Sequence, residues 1–152
     1  MIEIFNLNNI LVHQPLTSQK EVFEKIAEVA MEADISDSKQ AIVDGLFNRE
    51  THGTTGFLDG FAIPHTKSEA IHKPGAIIIT LKDGIEWDSM DGKPVKFLIA
   101  LLIPESEAGT THLSLLSSIS RMLIHQEIRD HLLAASKPKQ ILDQLNNALV
   151  SH

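Results

Sequence analysis

Three residues have types and settings that could do chemistry together: His65, His112 and Arg49. His65 stands in the stretch Phe61-Ala62-Ile63-Pro64-His65-Thr66, at the end of a short apolar segment that reads as a strand. Pro64 fixes its own φ and biases Ile63 toward extended geometry, so the direction in which the chain enters His65 is tightly limited. The end of a strand beside a Gly-rich loop is where α/β proteins place their sites. Imidazole suits reversible group transfer near neutral pH, because one ring nitrogen can be held by a hydrogen bond while the other attacks. Position alone leaves His65 evenly divided between a reactive group and a surface or supporting histidine.

His112 lies in Ala108-Gly109-Thr110-Thr111-His112-Leu113. Thr110 or Thr111 is expected to cap a helix that His112 begins. The first turn of a helix presents unpaired N–H groups and the positive end of its dipole, a setting that favours an anion such as phosphate. An isolated histidine at a helix end more commonly faces solvent. Arg49 closes a predicted helix just before the loop Thr51–Gly60, and its planar guanidinium matches phosphate or carboxylate oxygens. An arginine at a helix C-terminus also complements the dipole with no further role.

Other chemistries drop out. The chain has no cysteine, so disulfides and thiolate nucleophiles are excluded. The loop THGTTGFLDG does not fit G-x-x-x-x-G-K-[ST], and no G-x-G-x-x-G occurs, so nucleotide-binding loops are not indicated. A formal net charge of -7 opposes nucleic-acid binding, which needs a basic surface. The eight histidines raise the question of metal, but they include no H-E-x-x-H pair, and His125 and His131 fall on different faces of a helix. No metal or other cofactor is expected. His13, His72, His125, His131 and His152 read as surface residues.

The elements that must position these residues follow from periodicity. A strand is predicted at Ile10–His13. Ser18 with Glu21 forms a capping box ahead of a helix whose apolar face carries Val22, Phe23, Ile26, Val29 and Ala30. Ser36 is the expected cap of a second helix ending near Arg49. Gly and Thr between Thr51 and Gly60 mark a loop. Ala76–Leu81 and Val95–Ile103 are near-continuously apolar, the pattern of strands in a sheet covered on both faces. A short strand at Ile85–Trp87 is expected between them. Beyond Pro104, helices are predicted through Leu115–Leu123, around Ile128–Ala134, and from Pro138, whose missing N–H suits a first turn.

Strands interleaved with helices indicate the α/β class. The length of 152 residues, with 43% hydrophobic and 22% charged residues, fits one globular domain spanning 1–152. No apolar run is long enough to span a bilayer, and the start MIEIFNLNN lacks the features of a signal peptide, so a cytoplasmic location and a free subunit are expected.

Taken together, these segments resemble the enzyme IIA domains of the bacterial phosphoenolpyruvate-dependent sugar phosphotransferase system, fructose–mannitol family. The likeness runs over nearly the whole chain: Asn48-Arg49-Glu50, Thr55-Gly56, Ala62-Ile63-Pro64-His65, the buried strands, Pro104, and Thr111-His112-Leu113. It implies a mixed, mostly parallel β-sheet flanked by helices. It also implies that His65 is phosphorylated on Nε2 by phospho-HPr, with His112 as the second active-site histidine and Arg49 as the active-site arginine. The group would then pass to a cysteine of enzyme IIB, which serves membrane enzyme IIC. With no cysteine here, that acceptor must lie elsewhere. HTKSEAI and GIEWDSMDGKPV look closest to the fructose-type branch; the alternative is a regulatory, nitrogen-type module whose phosphorylation state controls other proteins. The chain departs from the family at Thr66, where many members have glycine, and at Leu58 and Phe61. Phe57, Leu58 and Phe61 are candidates to line a shallow apolar surface around His65.

Overall fold

A computed structural model describes residues 4–151, apart from the side chains of Thr111, His112, Val150 and Ser151. Five strands form one sheet: β1 (Ile10–Gln14), β2 (Phe61–Ala62), β3 (His65–Ser68), β4 (Gly75–Ile85) and β5 (Val95–Pro104). Strand β1 runs parallel to β4, β4 runs antiparallel to β5, and both β2 and β3 lie parallel along the far side of β5. Three of these four pairings are parallel, so the sheet is mixed and mostly parallel.

The unbroken apolar text of β4 and β5 is explained by the two cores it feeds. Successive side chains of a strand point to opposite faces. Ile77, Ile79, Leu98, Ala100 and Leu102 therefore enter one core, with α1 (Gln19–Glu32) and α2 (Lys39–Glu50). Ala76, Ile78, Phe97, Ile99, Leu101 and Ile103 enter the other, with α3 (Leu113–Leu123), α4 (Gln126–Ala134) and α5 (Pro138–Ser151). The register agrees, with Ile77 opposite Ala100 and Ile78 opposite Ile99. Each fully buried Leu, Ile or Phe contributes about 1.5–3 kcal/mol of burial free energy, so sheet and helices depend on one another.

Several local expectations are corrected. The second helix is capped by Ser38, whose Oγ accepts from Ala41 N–H at 3.1 Å, and not by Ser36. Ser36 instead supports that cap, its Oγ accepting from Ser38 N–H at 3.1 Å. In the first helix Ser18 caps as expected, but the Glu21 carboxylate reaches back to Thr17 N–H at 2.7 Å. Ile85 is the last residue of β4, and Glu86–Trp87 form no strand of their own.

Pro64 does not end the strand before His65; it interrupts it. Proline lacks only its N–H, so its carbonyl still accepts from Leu101 N–H at 2.9 Å, and the ladder with β5 resumes at His65. His65 thus opens β3. The helix expected to start at His112 begins earlier: a 3-10 turn at Glu105–Glu107 continues into a π-helical turn at Ala108–His112 and then into α3. Thr110 does not cap it, since its Oγ1 donates back to Glu107 O at 3.5 Å, and the Thr111 side chain lies outside the described residues. Among the described residues no helix is long and apolar enough to cross a membrane.

Candidate functional site

His65 is 6% exposed, and its imidazole is held at both nitrogens. Nδ1 lies 2.7 Å from the Ile63 carbonyl oxygen, which can only accept, so Nδ1 carries the proton. Nε2 lies 3.1 Å from Arg49 Nε, which can only donate, so Nε2 presents a lone pair. The two contacts select one neutral tautomer. The nitrogen with the lone pair is the one turned to a guanidinium.

Arg49 reaches this position because α2 ends beside β3. It sits in the last turn, where its charge also complements the helix dipole. Its Nη1 donates to Gly53 O at 2.7 Å, fixing the plane of the guanidinium against the loop that follows. A cation with one edge engaged and its Nε–H on imidazole can redirect that donor to an oxyanion bound at Nε2.

The loop itself is well bonded. Glu50 Oε1 accepts from Thr55 N–H at 3.1 Å, and Oε2 accepts from the Thr55 hydroxyl. Trp87 Nε1–H donates to the same hydroxyl oxygen at 3.1 Å. Thr54 Oγ1 donates to Trp87 O at 2.9 Å. The Trp87 ring packs edge-on against Phe23 of α1, their centroids 5.6 Å apart. Gly56 pairs with Ala62, and Ile63 N–H donates to Thr55 O at 3.0 Å. Sequence reasoning missed Glu50, Thr55 and Trp87 as parts of the site. Glu50 and Thr55 both stood in the motifs that carry the family resemblance, which was the available signal.

Farther along the loop, Asp59 joins three segments. It accepts from Lys93 Nζ at 2.9 Å and from Arg129 Nε at 2.9 Å, while its own N–H donates to Asp91 Oδ2 at 2.9 Å. Lys93, then Arg129, hold the Asp59 carboxyl below the usual carboxylate range. Arg129 is buried and also donates through Nη1 to Leu123 O and Ile124 O, closing the end of α3.

The His112 side chain lies outside the described residues; its backbone ends the π-helical turn, which packs on β5, the strand that pairs with β3 and lies opposite His65 at Leu101. Thr66 turns away from His65. As the next residue in β3 it points to the other face, where a Cβ added to Gly45 of α2 would stand 2.3 Å from its Oγ1. Phe61 does not line the surface around His65: it is fully buried, 4.8 Å from the Phe97 ring centroid, whereas Phe57 and Leu58 are half-buried. Among the described residues no group of three or more His, Asp or Glu is placed to hold a metal ion. A cleft of about 470 Å³ lies at the opposite edge of the sheet, among Asn9, Lys25, Glu32 and Lys73, and contains none of the three site residues.

The family model described as "Phosphoenolpyruvate-dependent sugar phosphotransferase system, EIIA 2" matches residues 3–148. A fructose-specific EIIA component of Haloferax volcanii is 35% identical over 139 residues, covering 91% of this chain and 90% of the relative. A nitrogen regulatory protein of Pseudomonas aeruginosa is 39% identical over 134 residues, covering 88% and 86%. The crystal structure of the nitrogen regulatory protein IIA-Ntr from Neisseria meningitidis superposes with a TM-score of 0.88 at 30% identity, covering 95% of this chain and 97% of that one. This chain belongs to the EIIA 2 family of the phosphoenolpyruvate-dependent sugar phosphotransferase system.

Proposed function

We propose that the protein is a phosphocarrier that accepts a phosphoryl group from phospho-HPr on His65 Nε2 and delivers it to a cysteine of an enzyme IIB. The observation that carries this reading is the paired contact of the ring: Nδ1–H on the Ile63 carbonyl and Nε2 facing Arg49. The Nε2 lone pair forms the new N–P bond while the electrons of the donor's N–P bond return to the donor nitrogen. The proton stays on Nδ1, hydrogen-bonded to the Ile63 carbonyl, whose dipole stabilises the positive charge that the ring gains. In the second step an IIB thiolate attacks phosphorus, and Nε2 leaves with its pair. No proton must move in either step.

Arg49 offsets charge on the phosphoryl oxygens and holds them in one orientation, the kind of preorganised stabilisation that needs no metal. His112 is the second imidazole of the proposed site and shares that task. The acceptor is a protein carried on another polypeptide or domain, because this chain has no thiol. The output we favour is sugar uptake of the fructose type, which agrees with the 35% identity to a fructose-specific component.

A second output is supported by a specific observation. The 39% identity to a nitrogen regulatory protein and the TM-score of 0.88 to IIA-Ntr favour a regulatory module in which the phosphoryl state of His65 governs binding to other proteins. Both outputs share the first chemical step. Intact mass after incubation with phosphoenolpyruvate, enzyme I and HPr tests it: one acid-labile phosphoryl group on wild type and none on His65→Ala. Absence of uptake by the wild type, with HPr itself phosphorylated, refutes the carrier. Sugar-dependent discharge through a IIB then separates the two outputs, since only the transport role requires it.

A further inference from the structure

The two described contacts of the His65 ring run back to one short stretch of loop. Ile63, whose carbonyl holds Nδ1–H, is itself held by its N–H on Thr55 O at 3.0 Å. Arg49, which meets Nε2, is held by Gly53 O at 2.7 Å. Gly53 and Thr55 are two residues apart, so whatever fixes this stretch fixes both nitrogens.

Thr55 is what fixes it. Its side chain and backbone are engaged from two sides: Glu50 takes its N–H and its hydroxyl hydrogen, and Trp87 donates to its hydroxyl oxygen. Thr55 is 7% exposed and Trp87 is 3% exposed, so these bonds form away from bulk water, where a lost partner costs most. Trp87 is in turn wedged on Phe23, which is fully buried in the first core and meets Phe47 of α2 edge-on at 4.8 Å. The clamp therefore runs from the helical layer, through Trp87 and Glu50, to Thr55, and from Thr55 to the imidazole.

We propose that Thr55, gripped between Glu50 and Trp87, is the positioning residue of the site and sets the tautomer and aim of His65 through the Ile63 carbonyl. It touches no reacting atom. Its effect is on which nitrogen holds the proton and on where the lone pair points. Removing a partner at one remove from a metal-bound histidine typically costs about 10- to 100-fold, and a change of the same order is expected at this imidazole.

Long-range ¹H–¹⁵N spectra of the imidazole rings, with His65 assigned by difference from His65→Ala, test the proposal directly. Spectra are taken in mildly alkaline buffer for wild type, Thr55→Ser, Thr55→Val and Glu50→Gln. Wild type and Thr55→Ser, which keeps the hydroxyl, give the single pattern of an Nδ1–H ring. Thr55→Val gives shifts averaged between the two tautomers, and its phosphoryl uptake from phospho-HPr slows by about 10- to 100-fold while Thr55→Ser stays near wild type. A Thr55→Val protein that melts as a folded chain, yet keeps the wild-type ring pattern and rate, overturns the proposal. Should Thr55→Val fail to fold, Glu50→Gln decides in its place: a glutamine amide offers one acceptor oxygen instead of two, and an unchanged His65 ring there also overturns it. Only the rate arm rests on the carrier reading above. If wild type takes up no phosphoryl group while the ring pattern still shifts in Thr55→Val, the positioning role stands and the carrier reading falls.

Discussion

At the scale of single residues, the pairing of acceptor-only and donor-only partners on one imidazole carries the proposed chemistry. A neutral histidine in water exchanges tautomers freely; here the Ile63 carbonyl and the Arg49 guanidinium each exclude the alternative. Arg49→Lys keeps the charge but loses the planar fork that bonds His65 and Gly53 at once. We expect phosphoryl uptake to slow by about 10²-fold or more, the order seen when one preorganised donor is removed, with little change in melting temperature. Stopped-flow transfer from phospho-HPr is the check, and a rate within a few-fold of wild type would remove Arg49 from the mechanism. Position alone left His65 evenly divided and Arg49 a residue at a helix end; the resemblance of their motifs singled them out, and the fold brings the two side chains together. Thr55 was legible only as part of the Thr55-Gly56 motif, and its bond to Trp87 was not. Threonines in a Gly-rich stretch look like ordinary loop residues, and the bond between the two spans 32 positions of sequence.

At the scale of elements, periodicity located the five described α-helices and the two long strands, because apolar spacing responds directly to which face is buried. It erred where a boundary depends on one hydrogen bond. Ser36 and Ser38 are chemically equivalent as caps, and the choice follows from the Ser36–Ile71 bridge and the Asp37 N–H on Ala70 O at 2.9 Å, which carry the extended segment past Ser36. The break at Pro64 looked like a strand end because the carbonyl that continues the ladder has no signature in sequence. Thr66, a departure from the family pattern beside His65, is explained by the element behind it. Its side chain rests on Gly45, so α2 approaches β3 closely enough to bring Arg49 over the imidazole. In an ordinary helix interior Gly→Ala stabilises by about 0.8–1 kcal/mol. Gly45→Ala should instead destabilise by about 1–3 kcal/mol, the usual range for overpacking, and in a Thr66→Ala background the same change should become neutral or stabilising. Urea unfolding of the four proteins of this cycle reads the coupling. Additivity would show that the two residues do not constrain each other.

At the scale of the whole molecule, the site is a junction between the two layers that cover the sheet. The α1–α2 layer supplies Arg49, Glu50 and the packing behind Trp87, while the α3–α4 corner reaches the same loop through Arg129 and Asp59. That second tie has a pH signature. A carboxyl held lower in the folded state than in the unfolded chain adds stability above its unfolded value, near pH ~3.9 for aspartate, and that stability is lost as pH falls through the folded value. Asp59→Asn tolerates the left-handed backbone at φ +52 and removes the charge together with one of the two acceptor oxygens that Lys93 and Arg129 use. Its melting temperature should lie below wild type at neutral pH, and the gap should close in acid; a gap independent of pH would show that charge is not what Asp59 contributes. The layered architecture itself was legible, since continuous apolar strands require covering on both sides, but which strand neighbours which was not, because periodicity reports burial and says nothing of pairing.

The claim on which the account turns is that phosphoryl transfer occurs at Nε2 of His65. The ³¹P–¹⁵N coupling in ring-labelled protein, phosphorylated through HPr, reads the bonded nitrogen directly. A single phosphorus on His65 Nε2, with Nδ1 still carrying its proton toward the Ile63 carbonyl, is the predicted result. Phosphorus on Nδ1, or on another histidine while His65 stays unmodified, would contradict it.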